Sequence, residues 1–229
     1  MFPDTPWTQI AIATLHGDRE GRSALDRLCQ RYYEPVRRFI LSSGYEVTDG
    51  EDLTQSFFQH VCEKDILLRA DQAKGKFRTF VIAVLKRFLS HANRAEAAQK
   101  RGGKVMLVSL EEASDITDGE PVEGELSFDR EWALTVMDSA LTRVVNEIRE
   151  ARGEEALDTL RLFLSTQQNA PSYETAAEIL GMGLSAVKVE VMRWRRRLGE
   201  LVRAEVARTV SAPHEIEEEL AYLRRALMA

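Results

Sequence analysis

At 229 residues the chain can bury one core or two small ones, and its net charge of −6 argues at first against a nucleic-acid partner. Two cysteines, Cys29 and Cys62, are too few and too isolated for a disulfide framework or a zinc site, and His16, His60, His91 and His214 lack metal-ligand spacing. With no apolar run long enough for a bilayer, and a first segment (MFPDTPW) without the basic and apolar parts of a signal peptide, the expectation is a cytoplasmic protein with no metal, no cofactor and no membrane insertion.

Apolar residues recur at steps of three and four and almost never alternate, so the fold class is all-α. Helices are predicted near 6–15, 20–32, 35–43, 49–63, 76–97, 129–150, 153–164, 172–180, 185–208 and 213–227. In the helix near 49, Thr48 and Glu51 read as a capping box, and Leu53, Phe57 and Val61 mark a buried side. Asp52, Gln55, Gln59 and Glu63 form the opposite stripe at i, i+3, i+7 and i+11. Such a stripe is either the wet face of an amphipathic helix or a polar docking surface for a basic protein.

The helix from Lys76 has the strongest period, with Phe77, Phe80, Val81, Val84, Leu85, Phe88 and Leu89 on one stripe. Opposite lie Thr79, Ile82, Lys86, Ser90, Asn93 and Ala97, flanked by Arg78, Arg87 and Arg94. From Lys74 to Lys104 nine cations stand against Glu96 alone, a net +8, and from Val105 to Glu131 nine anions stand against Arg130 alone, a net −8. Charge sorted into blocks points to partners or tails. Lys76, Arg78, Lys86, Arg87, Arg94, Lys100 and Arg101 are candidates for phosphate contacts, and Ser90 and Asn93 for hydrogen bonds to base edges. The acidic stretch has turn signals at Thr117-Asp118-Gly119, Glu120-Pro121 and Glu123-Gly124, and reads as a linker.

The most specific local pattern is SYETAAEILGMGLSAVKVEVMRWRRRLGEL, Ser172 to Leu201. Ser172 caps a short helix whose Tyr173, Ala176, Ala177 and Leu180 share one face, and Gly181-Met182-Gly183 ends it. Ser185 is placed to cap a second helix with Leu184, Val187, Val191, Trp194, Leu198, Leu201 and Val202 on its seam. Ser185, Lys188, Val189, Met192 and Arg196 project from the other side, with Arg193, Arg195, Arg197 and Arg203 around them. Capped helix, glycine turn and cationic helix make a helix-turn-helix, with Ser185, Lys188, Met192, Arg193, Arg195 and Arg196 as its DNA-binding candidates. The tail from Ser211 is an amphipathic helix with Ile216, Leu220, Leu223 and Leu227 on one stripe; its default position is against its own, second domain. The organisation read from these segments is a domain over 1–104, an acidic linker over 105–128, a helix-turn-helix domain over 129–210 and a terminal helix over 211–229.

Taken in this order, the segments resemble the bacterial extracytoplasmic-function sigma factors, the promoter-recognition subunits of RNA polymerase. Asp49-Gly50-Glu51-Asp52-Leu53-Thr54-Gln55-Ser56-Phe57-Phe58 is similar to the family's region 2.2, Lys76-Phe77-Arg78-Thr79-Phe80 through Arg94 to regions 2.3 and 2.4, and Ser172–Leu201 to region 4.2. Phe2-Pro3-Asp4-Thr5-Pro6-Trp7 and Arg101-Gly102-Gly103 resemble one subgroup. The resemblance implies that Asp52, Gln55 and Gln59 face the core polymerase, that the basic helix melts and reads the minus-ten element, and that the second helix of the pair reads the minus-thirty-five element. It also implies that the acidic linker enters the polymerase's active-site channel as a nucleic-acid mimic. Phe80 stands where the family commonly has Trp, Arg87 where it has Asn and His91 where it has Asp; Trp194 replaces an aliphatic residue.

The implied partners are core RNA polymerase, promoter DNA and, for the tail, an anti-sigma factor or other regulator; a monomer is expected when free. Two other readings stay open on the residues alone. One is an autonomous helix-turn-helix regulator, which binds an operator without polymerase, usually as a dimer. The other is a protein-binding adaptor with degenerate DNA surfaces. No nucleophile–base pair, metal cluster or phosphate loop points to an enzyme, so no catalytic residue is assigned.

Overall fold

The structure, a computed structural model, describes residues 19–63, 66–71, 75–100, 123–164 and 170–228. The helix expected at 6–15, Arg101 and the basic end at Lys104, and the acidic stretch over 105–122 lie outside them. Among the described residues there are seven α-helices and no strand: α1 (Arg19–Ser42), α2 (Val47–Glu63), α3 (Phe77–Lys100), α4 (Glu123–Leu160), α5 (Tyr173–Leu180), α6 (Leu184–Ala207) and α7 (Ile216–Met228). The chain divides into two compact units, residues 1–133 with 208–229, and residues 134–207, and the boundary falls inside α4. None of the described helices is long and apolar enough to cross a membrane.

In the first unit, α1 runs through Pro35, where the sequence predicts a break between 32 and 35. Proline removes one helical hydrogen bond, but Ala24, Leu28, Tyr32, Val36 and Ile40 form an uninterrupted buried row at four-residue steps, whose packing outweighs that loss. Tyr32 is the centre of the core: its ring stacks on Trp132 at 4.8 Å and meets Phe77 edge-on at 5.2 Å. The capping box expected at α2 does not form. The helix begins at Val47, so Thr48 lies inside its first turn, and Glu51 turns instead to Arg37 at 3.4 Å.

Two further departures concern the acidic block. Residues 123–128, expected as linker, are the first turns of α4, and Phe128 and Trp132 are fully buried in the first unit. Gly124, expected as a linker residue, is a close-approach residue: a Cβ there would lie 3.2 Å from Ser43 Oγ and 3.3 Å from the Phe39 carbonyl. Without a side chain the helix settles on the end of α1, where Ser127 and Ser42 hydroxyls are 2.7 Å apart. Helix α3 is buried on more than its apolar stripe. Val81 through Leu85 are all buried, including Ile82, which the period places on the outer face.

In the second unit, α4 breaks at Gly153, where φ is 77° and ψ 176°, a conformation suited to glycine and the point at which the sequence predicts a new helix. The core is built from Ala140, Val144, Ile148, Leu157, Val187, Val191 and Trp194, among others. Ser172 caps α5 as expected, its hydroxyl accepting from Thr175 N at 3.1 Å, and Gly181 closes it in the left-handed region at φ 59°. The start of α6 differs from expectation. Gly183 offers its carbonyl to Ala186 and Val187, so Ser185 stands inside the helix, and Leu184 is 37% exposed rather than on the seam.

The chain then returns to the first unit, where the Thr209 carbonyl accepts from Phe77 N at 3.2 Å. Glu215 accepts from the Ser211 and Ala212 amides at 2.8 and 3.3 Å, ordering the entry to α7. The terminal helix therefore belongs to the first unit and not, as expected, to the domain that precedes it.

Candidate nucleic-acid and polymerase interfaces

The α2 stripe is on the surface as its spacing requires. Asp52, Gln55, Gln59 and Glu63 are all exposed, and Gln59 donates to Glu63 at 2.8 Å, one helical turn away. Beside them is a shallow depression lined by Cys29, Gln30, Tyr33, Gln55 and Phe58, with Tyr33 and Phe58 stacked at 6.0 Å. Sequence reasoning missed this aromatic floor. Tyr32 and Tyr33 are adjacent on α1, about 100° apart around the helix, so with Tyr32 buried at 2%, Tyr33 is turned toward the surface at 36%, and that pair was the available signal. The two cysteines, isolated in sequence, are both free thiols; burial, with a smaller contribution from Cys62, pushes the Cys29 thiol up to about 12.

The α3 candidates divide sharply. Lys76, Arg78 and Lys86 are held by carboxylates of their own unit. Lys76 Nζ is 2.6 Å from Glu219 on α7, and Arg78 lies between two acids, 2.7 Å from both Asp129 on α4 and Glu219. Lys86 pairs with Glu125 on α4. The Arg78 guanidinium also covers the Tyr222 ring at 4.5 Å, and the Tyr222 hydroxyl donates to Asp129. Glu219 and Asp129 are only 1% and 2% exposed, so this is an interior network rather than a surface pair.

Electrostatics follow the packing. Burial works against the Arg78 charge, but hydrogen bonding to Glu219 and the Asp129 charge outweigh it and hold its pKa above the ordinary value. For Glu219, burial is likewise outweighed by Arg78 and Lys76, which keep the carboxyl below the usual range. Asp129 goes the other way: burial pushes it up despite Arg78 and the Tyr222 hydroxyl. Burial and the Asp129 contact push Tyr222 up to about 12. Asp129, Glu219 and Tyr222 are not candidates on sequence grounds, because nothing in local periodicity brings residues 78, 129 and 219 together.

Further along α3, Arg87 is half-buried, and Ser90 accepts from Arg94 at 3.1 Å. Asn93 Oδ1 accepts from the Tyr45 hydroxyl at 2.6 Å. Asn93 and Arg94 are exposed; the Lys100 side chain and Arg101 lie outside the described residues.

On α6 the arginine run has two functions that the sequence does not separate. Arg195 Nε donates to the Phe163 carbonyl at 2.9 Å, and Arg197 makes a two-pronged contact with Glu147 at 2.7 and 2.8 Å. Both tie α6 to its own unit. Hydrogen bonding to Arg197 holds the Glu147 carboxyl below the usual range. Arg193 lies over the Trp194 ring and 3.6 Å from the buried Glu190, which also receives Arg152 and the Trp194 indole. The outward row is Ser185, Lys188, Val189, Met192 and Arg196, all exposed, with Met192 at 64% and the Arg196 side chain at 83%. Lys188 Nζ stands 5.7 Å from the Tyr173 ring centre. This row has a positive rim and an apolar middle, a composition suited to phosphate contacts around thymine methyl groups.

No group of three or more metal-ligating side chains occurs among the described residues. No curated protein and no solved structure matches the chain. The family model of the ECF sigma factor matches residues 8–212, a span that takes in the α2 stripe, the basic α3 and the α5–α6 pair in sequence order. The chain belongs to the ECF sigma factors.

Proposed function

We propose that this sigma factor docks on core RNA polymerase through the Asp52–Gln55–Gln59–Glu63 face of α2 and holds upstream promoter DNA with the outward row of α6. The observation that carries the reading is the family match over residues 8–212, which makes the chain a factor that directs RNA polymerase to promoters. The exposure of all four α2 residues supports the docking role, since a polar stripe in contact with solvent is available to a basic partner. The α6 row supports the DNA role by charge and shape. Local strand separation at the downstream element then falls to α3, whose exposed Asn93 and Arg94 are the residues nearest to hand for bases and backbone. The acidic stretch before α4 acts as a nucleic-acid mimic in the polymerase channel.

The chain's net charge of −6 fits a factor with weak affinity for DNA on its own, which avoids capture by non-specific genomic sites. The test is reconstitution. Core polymerase mixed with the protein should co-elute with it and initiate from specific genomic fragments, and Asp52→Ala with Gln55→Ala should weaken co-elution. Absence of both co-elution and initiation with the unaltered chain overturns the proposal.

A further inference from the structure

Lys76, just before α3, and Arg78 and Lys86, on it, are held in a way that the sigma-factor reading does not require. Arg78, Ile82 and Lys86 fall at i, i+4 and i+8 on one face of α3, and Glu125 and Asp129 at i and i+4 on one face of α4. Lys86 pairs with Glu125, Arg78 with Asp129, and Ile82, between those pairs, is buried. The acidic start of α4 therefore lies along the very side of α3 that the sequence offers to nucleic acid. Glu219 of α7 closes the end of the row by holding Lys76 and Arg78 together at 2.6 and 2.7 Å.

We propose that the α4 start and α7 form an autoinhibitory latch, in which Glu125, Asp129 and Glu219 occupy the α3 cations in place of phosphates. The proposal rests on the sigma-factor reading for the identity of the competing ligand, single-stranded promoter DNA. Each carboxylate accepts from its cation as a phosphate oxygen would, so DNA and the latch compete for the same donors. Arg78 is the pin. Its side chain is 11% exposed and cannot reach a phosphate while Asp129 and Glu219 hold it. Lys86, at 41% exposed, and Lys76, at 20%, are the cations that opening of the latch releases first. The device is internal to the first unit, and the last helix of the chain is a working part of it.

The experiment uses the full chain without polymerase and measures fluorescence anisotropy with a labelled single-stranded oligodeoxynucleotide. Glu125→Gln with Glu219→Gln keeps side-chain shape while removing two latch charges. It should bind on the order of tenfold tighter at low salt, and the gain should vanish at high salt, because it comes from phosphate neutralisation. Adding Lys76→Ala and Lys86→Ala should abolish the gain. Glu46→Gln with Glu218→Gln makes the same change in net charge at exposed positions and should give little. Equal gains in the latch and control variants, or no gain in a latch variant that keeps its helical circular dichroism, overturn the proposal. Should Glu219→Gln unfold the chain, Glu125→Gln alone must still show a smaller gain that Lys86→Ala cancels; no gain there overturns the proposal as well. The function reading fails separately: an unaltered chain that neither joins core polymerase nor initiates leaves the anisotropy result standing.

Discussion

The two basic helices of this protein look alike in sequence and are used differently. At α3, Lys76 just before the helix and Arg78 and Lys86 on it end on carboxylates contributed by residues 125, 129 and 219. On α6, two arginines secure the fold, but a row from Ser185 to Arg196 stays in solvent. A cation count measures long-range attraction, whereas contact with DNA requires donors that are not locked onto buried acceptors, and Arg196 meets only the exposed Glu200. The comparison teaches that the second criterion decides, and it makes the two helices separable by mutation.

The widest separation is expected between Arg78 and Arg196. Arg78→Ala leaves Glu219 and Asp129 buried without their shared cation, and breaking a buried pair from one side costs about 3–5 kcal/mol. Arg196, whose side chain is 83% exposed, pairs with Glu200 one turn away, and its loss should change stability by less than about 0.5 kcal/mol. Urea unfolding of the two variants measures both. Similar midpoints for the two would show that the α3 network is no more than a surface arrangement.

Two glycines extend the contrast with opposite signs. Gly124 of α4 touches the Phe39 backbone, so Gly124→Ala should overpack that contact and cost about 1–3 kcal/mol in the first unit. Gly199 of α6 lies in a helix interior, and a methyl group added there would meet nothing within 4 Å. Gly199→Ala should therefore stabilise the second unit by about 0.5–1 kcal/mol. Thermal unfolding followed by circular dichroism reads the signs. A stabilising Gly124→Ala would mean that the acidic start of α4 is not held against α1.

These contrasts also mark what can be read without coordinates. The helical class, the Ser172 cap, the Gly181 stop and the buried seam of Val187, Val191, Trp194 and Leu198 follow from periodicity and local chemistry, and the structure has them. The exposed stripe on α2 is legible for the same reason. What escapes is long-range. Gly124 looks like a linker glycine until Phe39 is beside it, and Ile82 looks like a surface residue, yet it is buried between the Arg78–Asp129 and Lys86–Glu125 pairs. Pro35 looks like a break because the cost of a proline is local, whereas the packing that overrides it is spread over five buried residues. The placement of α7 depends on a pairing between residues 78 and 219, which no window of sequence contains.

The finest contrast is between neighbours on one helix. Arg195 and Arg196 are consecutive and carry one expected role, yet about 100° of helical rotation separates their side chains. Arg195 reaches the Phe163 carbonyl at 2.9 Å and so secures the turn after α4, while Arg196 points into solvent beside Met192 on the outward row. Arg195→Ala should cost about 1 kcal/mol of stability, the net value of one such hydrogen bond. Its effect on promoter binding by the holoenzyme should follow that stability loss and disappear at lower temperature, where the second unit is fully folded. Arg196→Ala should leave unfolding unchanged and instead weaken upstream-DNA binding at every temperature, reducing the salt dependence by about one phosphate contact. Binding measured across a salt series for both variants separates the two roles. An unchanged salt slope in Arg196→Ala would remove that residue from the DNA surface, and a reduced slope in Arg195→Ala would mean that its bond to Phe163 yields to phosphate.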